Sequence, residues 1–161
     1  MLISSSKNQN GVSLLEILVT IMVLSIGLLG IAGLQITSLK NTQRALLKTH
    51  VSLLVYDLTD IIRSNPDQVS KNFFDNIDTK SKTFNSLPNC KLKEGCNSED
   101  MANTEMKDWV DRMKDLLPEG NAAIIGDGAG NFSVNISWLD DVSRQSKEAG
   151  MSSKTTTFRV Q

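Results

Sequence analysis

Val12-Ser13-Leu14-Leu15-Glu16-Ile17-Leu18-Val19-Thr20-Ile21-Met22-Val23-Leu24-Ser25-Ile26-Gly27-Leu28-Leu29-Gly30-Ile31-Ala32-Gly33-Leu34 is the stretch that decides how this chain is organised. It is long enough to cross a bilayer, which takes about 20 residues of helix. One ionised group interrupts it. A carboxylate placed in such a helix costs roughly 2.5–3.5 kcal/mol on insertion scales. A plain anchor has no reason to bear that cost, so Glu16 asks for a partner. Upstream lies a short polar leader, residues 1–11, with Lys7 as its one basic side chain and Gly11 at its end. A secretory signal peptide puts its small cleavage-site residues after the apolar region. Here the conspicuous small residue precedes it.

Downstream, the apolar run does not end in a turn. Residues 35–64 contain neither Pro nor Gly, and Leu39, Leu46, Leu47, Val51, Leu54, Leu58, Ile61 and Ile62 keep helical spacing. Asn65-Pro66 stops the pattern, because the residue before a proline avoids the helical region. The spacing therefore predicts one helix over 12–64, roughly 80 Å long at 1.5 Å per residue. Its first half is apolar all round and its second half is amphipathic, with one stripe to lay on a globular domain. Gly27, Gly30 and Gly33 each lower helix propensity by about 0.8–1 kcal/mol relative to alanine. They serve either close helix packing or local softness of the helix.

The remainder predicts a small α+β domain. Residues 67–97 are polar and irregular, with Phe73, Phe74, Ile77, Phe84 and Leu87 as isolated anchors. A second helix is expected from Ser98 as N-cap, with Glu99 and Asp100 at the positive end of its dipole. Ala102, Met106, Trp109, Val110, Met113, Leu116 and Leu117 fall on one face of it, and Pro118 and Gly120 end it. Three antiparallel strands follow. Residues 122–125 form the first. A turn over 126–131 leads to the second, where Phe132, Val134, Ile136 and Trp138 alternate with Ser133, Asn135 and Ser137. After a polar loop over 139–153, residues 155–160 alternate again.

The string Gly11-Val12-Ser13-Leu14-Leu15-Glu16 resembles the class III signal of type IV prepilins. In that family a membrane-embedded prepilin peptidase cuts after the glycine and methylates the new amino terminus. The resemblance implies a cut between Gly11 and Val12, with Val12 as the mature first residue. Its amine stays positive and lies four residues from Glu16, in a medium where opposite charges attract strongly. Glu16 is then expected to pair with an amine, either of a neighbouring subunit during filament assembly or of its own chain. Pilins commonly carry a helix-breaking proline in the first helix, and that position falls at Gly33 here. The stretch Asp57-Leu58 … Arg63-Ser64-Asn65-Pro66 is similar to the helix end of PilV-type minor pilins. Cys90 … Cys96, Asp108-Trp109, Leu117-Pro118-Glu119-Gly120 and Val134-Asn135-Ile136-Ser137-Trp138 recur there in the same order. In this chain Leu139 separates Trp138 from Asp140, where an acidic residue often follows directly.

The resemblance implies a pilin-like chain with four parts: a cleaved leader (1–11), a transmembrane and filament-core half-helix (12–34), an amphipathic half-helix (35–64) and a periplasmic head (65–161). It implies inner-membrane anchoring through the lipid bilayer, then incorporation in the pilus, at its tip. The partners are other minor pilins, the major pilin, the prepilin peptidase and the inner-membrane assembly machinery. The role is pilus priming, surface piliation or adhesion. A type II secretion minor pseudopilin shares Gly11 and Glu16 and is the alternative. In an exported head, Cys90 and Cys96 are expected to form a disulfide, with free thiols the other state. Their spacing fits no common zinc pattern, and His50 is the lone histidine.

Net charge is −1, becoming −2 when the one positive charge of Lys7 leaves with the leader. No basic excess points to nucleic acid. A positive-inside count of Lys7 against Lys40, Arg44 and Lys48 favours the inverted topology. The leader outweighs it, because its cleavage needs the cytoplasmic side. The three bases recur every four residues, as a solvated face or one turned to lipid headgroups or acidic neighbours. The glycine-rich turn over 126–131 lacks the Lys-Ser/Thr and helix of a phosphate loop. Asp127, Asp140 and Asp141 lack the ligand alternation of a calcium loop. No triad pattern or cofactor motif is present, so no enzyme and no cofactor are expected.

Overall fold

The computed structural model describes residues 13–85, 90, 96–140 and 150–160. Helix α1 runs Leu14–Ser64, 51 residues, and passes through Gly27, Gly30 and Gly33 without a break. The backbone N–H groups of Glu16 and Ile17 donate to the Ser13 carbonyl at 3.0 and 3.3 Å and open the first turn. At the other end the Asn65 amide donates to the Ile61 carbonyl at 2.8 Å, covering an acceptor that has lost its helical partner. Pro66 cannot continue α1 but suits the first position of a new helix, where no N–H is needed. It starts α2, Pro66–Ser70.

The chain divides into two compact units, Met1–Gln43 and Arg44–Gln161. In the first, α1 is the described element, and its large apolar side chains are all exposed. The second unit is the head, which includes α1 from Arg44 onwards. Its core takes Val51, Leu54, Val55, Leu58 and Ile62 from α1, spaced by three and four residues as one helical stripe. Burying each large side chain contributes about 1.5–3 kcal/mol.

Helix α3, Ser98–Leu116, adds Ala102, Met106, Trp109, Val110 and Met113 to that core. Its N-cap is Asn97 rather than Ser98. The Asn97 side chain accepts from the Asp100 N–H at 2.8 Å, and Ser98 is already helical. The antiparallel sheet has four strands in the order β1-β2-β3-β4, one more than expected. They are β1 Ile77–Asp78, β2 Asn121–Gly126, β3 Asn131–Leu139 and β4 Met151–Arg159. The extra strand is short, and Ile77 pairs with Ile124. On β3, Phe132, Val134, Ile136 and Trp138 face the core, as their alternation predicts. Strand β4 begins at Met151, four residues before the expected start, and pairs one-to-one with β3 from Met151↔Leu139 to Arg159↔Asn131.

The β2–β3 turn is held by one side chain. Asp127 accepts from the Ala129 N–H at 2.8 Å, from the Asn131 N–H at 3.0 Å and from the Asn131 side-chain amide. Those bonds hold its carboxyl below the usual range. Gly130 sits at φ +84, and a Cβ there would lie 2.8 Å from the Val160 carbonyl oxygen. Lys82 reaches between aromatic rings, 4.6 Å from Phe73 and 5.3 Å from Phe84, and burial lowers its pKa.

Candidate functional site

In the first unit Glu16 stands in the first turn of α1, where a negative charge suits the helix dipole. It is the lone ionisable residue from Ser13 to Leu39; Lys40 is next. Hydroxyl groups along the same segment are satisfied within the helix. Thr20 donates to the Ile17 carbonyl at 2.8 Å, Ser25 to Ile21 at 2.7 Å and Thr37 to Gly33 at 3.1 Å. Glu16 is exposed, and so are its apolar neighbours, Leu14 at 81 % and Leu15 at 72 %. The helix is long and apolar enough to cross a membrane, and none of its most apolar window is buried within the chain. That surface needs either lipid or other helices to cover it.

A Cβ added at Gly27, Gly30 or Gly33 would meet nothing within 4 Å. No described residue uses the room these glycines leave. Gly11 and Val12, the expected cleavage point, lie outside the described residues.

In the head, α1 shows two sides. One is locked down. The Trp109 indole donates to the Leu54 carbonyl at 2.8 Å, Arg112 pairs with Asp57 at 3.0 Å, and the Asn65 amide donates to Glu105 at 2.7 Å. The Lys154 ammonium reaches Ser52 at 2.9 Å. Through Arg112, Asp57 ties α1 to α3. Within the basic stripe Arg44 has an acidic neighbour, one of the expected alternatives: its Nε lies 3.7 Å from Asp140, which also accepts from Ser152 at 3.2 Å. The other side of α1 carries Leu46, Leu53 and Tyr56, more than half exposed. Leu46 and Leu53 are seven residues apart, two turns along one face.

Cys90 and Cys96 form a disulfide, with Cα atoms 5.0 Å apart. Among the described residues no three His, Cys, Asp or Glu side chains converge to hold a metal. Asp127 is occupied by its own turn and Asp140 by Arg44 and Ser152; Asp141 lies outside the described residues.

Two families match the chain. Residues 6–32 match the prokaryotic N-terminal methylation motif. Residues 33–107 match the Tt1218-like family, described as type IV pilin Tt1218. The first match ends where the second begins. No curated protein and no solved structure matches this chain.

Proposed function

We propose, from the premise that this chain belongs to the type IV prepilin family, that it is a minor pilin assembled through its first helix. The family is one of structural subunits, and the chain is not an enzyme. The methylation motif implies processing by prepilin peptidase and assembly with other pilins.

In this reading the peptidase cuts after Gly11 and leaves a methylated, positively charged Val12 amine. The helix then holds the subunit in the inner membrane with its head in the periplasm. On assembly, lipid is exchanged for neighbouring helices. Glu16 pairs with the amine of a neighbouring subunit, which sets the register of packing. Gly27, Gly30 and Gly33 leave α1 soft enough to adjust as it packs. The observation that carries this reading is the lone carboxylate in the first turn of a helix whose apolar surface no described residue covers.

The PilV-type role rests on motif residues that do mechanical work in the head. Asp57 bonds Arg112, Asn65 bonds Glu105 and Trp109 bonds Leu54. Together they fix the end of α1. Such a subunit joins other minor pilins in a complex that primes the filament and stays near its tip, supporting surface piliation or adhesion. Deletion tests this. A minor pilin predicts loss of surface pili with protein secretion intact, restored by the full-length gene. Intact pili with lost secretion would assign the chain to a pseudopilus instead.

A further inference from the structure

Strand β4 is an open edge of nine residues. Its backbone pattern shows which groups are free. Asp140 N–H donates to the Gly150 carbonyl and Val160 N–H to the Gly130 carbonyl, both at 2.8 Å. These two pairs flank the β3–β4 register and share its parity. Residues opposite one another in an antiparallel pair alternate between bonded and non-bonded. The even-numbered residues of β4 therefore bond β3. Met151, Ser153, Thr155, Thr157 and Arg159 direct N–H and C=O away from the sheet, and no described residue bonds them.

Proteins usually blunt such an edge with proline, a bulge, a very short strand or charged side chains, lysine especially; the lysine here, Lys154, is turned to Ser52. The opposite edge, β1, has two residues. Strand β4 has no proline, and its register with β3 is unbroken over nine pairs.

Side chains add a preference. The strand carries Lys154 and Arg159 and no carboxylate. The Lys154 ammonium is held by Ser52. Arg159 is exposed and has no ion pair among the described residues. Beside it a cleft of 470 Å³ is lined by Ile125, Phe132, Ser133, Thr157, Phe158 and Arg159. Phe132 and Phe158 stack there with ring centroids 5.8 Å apart. Ile125 is exposed although it sits on an inner strand.

We propose that the free edge of β4 takes up an extended, acidic segment of a partner chain by strand addition. A carboxylate of that segment meets Arg159, and an apolar side chain two residues away along the same face enters the cleft. Main-chain bonds to the odd-numbered residues supply affinity, and the cleft supplies selectivity. This surface involves neither Glu16 nor the exposed face of α1, so it stands or falls separately from the helix-packing reading.

The test uses the full-length chain in its own cells, with the photo-crosslinking residue benzoylphenylalanine at Thr155 or Thr157. The same residue at Asp115, exposed on α3, gives the background. The proposal predicts cross-links at least about tenfold above that background, as a populated complex gives. Mass spectrometry should map them to an extended segment containing Asp or Glu. Thr157→Pro removes an outward N–H that β3 does not use, so the fold tolerates it. It should cut the Thr155 cross-link about tenfold, and Arg159→Glu should do the same while Arg159→Lys does not. Cross-links at background level would overturn the proposal. So would cross-links indifferent to both Arg159→Glu and Thr157→Pro, or ones that map to a partner helix or to β4 of a second copy. If Thr157→Pro unfolds the head, the Arg159 pair alone decides.

Discussion

The indole N–H of Trp109 donates to the backbone carbonyl of Leu54 at 2.8 Å, across 55 residues of sequence and with both groups buried. A buried indole N–H needs an acceptor. Here the acceptor belongs to α1, so the bond sets where α3 lies along that helix. Asp57–Arg112 lies one turn further along α1 and reinforces the same placement from the surface. Removing the indole should thus loosen the head as a whole. Trp109→Ala should cost about 3–5 kcal/mol. Trp109→Phe, which keeps the ring but loses the donor, should cost about 2 kcal/mol. Asp57→Asn should cost less than about 1 kcal/mol, because that pair is half exposed. Thermal unfolding of the full chain in detergent reads all three, and equal losses for Trp109→Phe and Asp57→Asn would contradict this ranking.

The Cys90–Cys96 disulfide closes a loop with a sequence separation of 6. The chain-entropy relation for so short a loop gives about 2 kcal/mol. Replacing both cysteines with serine should lower stability by about that amount and leave the core formed, since neither cysteine is among the buried core residues. Loss of all cooperative unfolding in the double variant would show instead that the head needs this bond to fold.

Hydrogen bonds from Asn131 and Ala129 lower the Asp127 pKa below its ordinary value of 3.8. A depressed folded pKa contributes stability above the unfolded value, and that stability is lost as pH falls through the folded pKa. The β2–β3 turn should therefore loosen only as pH falls below the ordinary carboxylate range. Amide chemical shifts of Ala129 and Asn131 followed against pH should show one transition there, absent in Asp127→Asn. A transition at or above the ordinary carboxylate range would contradict the three-bond arrangement.

Leu53 is more than half exposed on the side of α1 that the head does not use. Leu53→Glu should change head stability by less than about 0.5 kcal/mol, as surface substitutions usually do. If that face packs against other helices, the variant should nevertheless reach sheared filaments at a fraction of the wild-type level. Filament incorporation equal to wild type would remove this face from the assembly surface.

Much of this architecture can be read from periodicity. The core stripe on α1, the buried face of α3 and the alternation on β3 all follow from which residues are apolar and how they are spaced. What escaped lacks such a signal. Ile77 and Asp78 are too few to show a period, and become a strand because Ile124 and Ala123 offer a ladder. Ser152, Ser153 and Lys154 look like loop residues, since an edge strand can be polar on both faces; Lys154 is anchored by Ser52, more than a hundred residues away. Ser98 and Asn97 are both good caps, and one side-chain bond to Asp100 decides between them. The partners of Arg44 and Asp57, namely Asp140 and Arg112, escaped because they are distant in sequence. In the first unit Glu16 stood out as the lone charge in an apolar run, and the structure gives it no partner among the described residues. Val12, whose amine is the own-chain candidate, lies outside the described residues, and pairing with a neighbouring subunit's amine is the proposal.

Glu16 is also where the account is most exposed to test. The decisive measurement compares Glu16→Ala with wild type for mature mass in the membrane and for amount in sheared filaments. The account predicts a normally processed mature mass, a stable head and incorporation reduced about tenfold or more, as expected when one buried charge pair worth several kcal/mol is lost. A correctly processed Glu16→Ala subunit present in filaments at the wild-type level would contradict it.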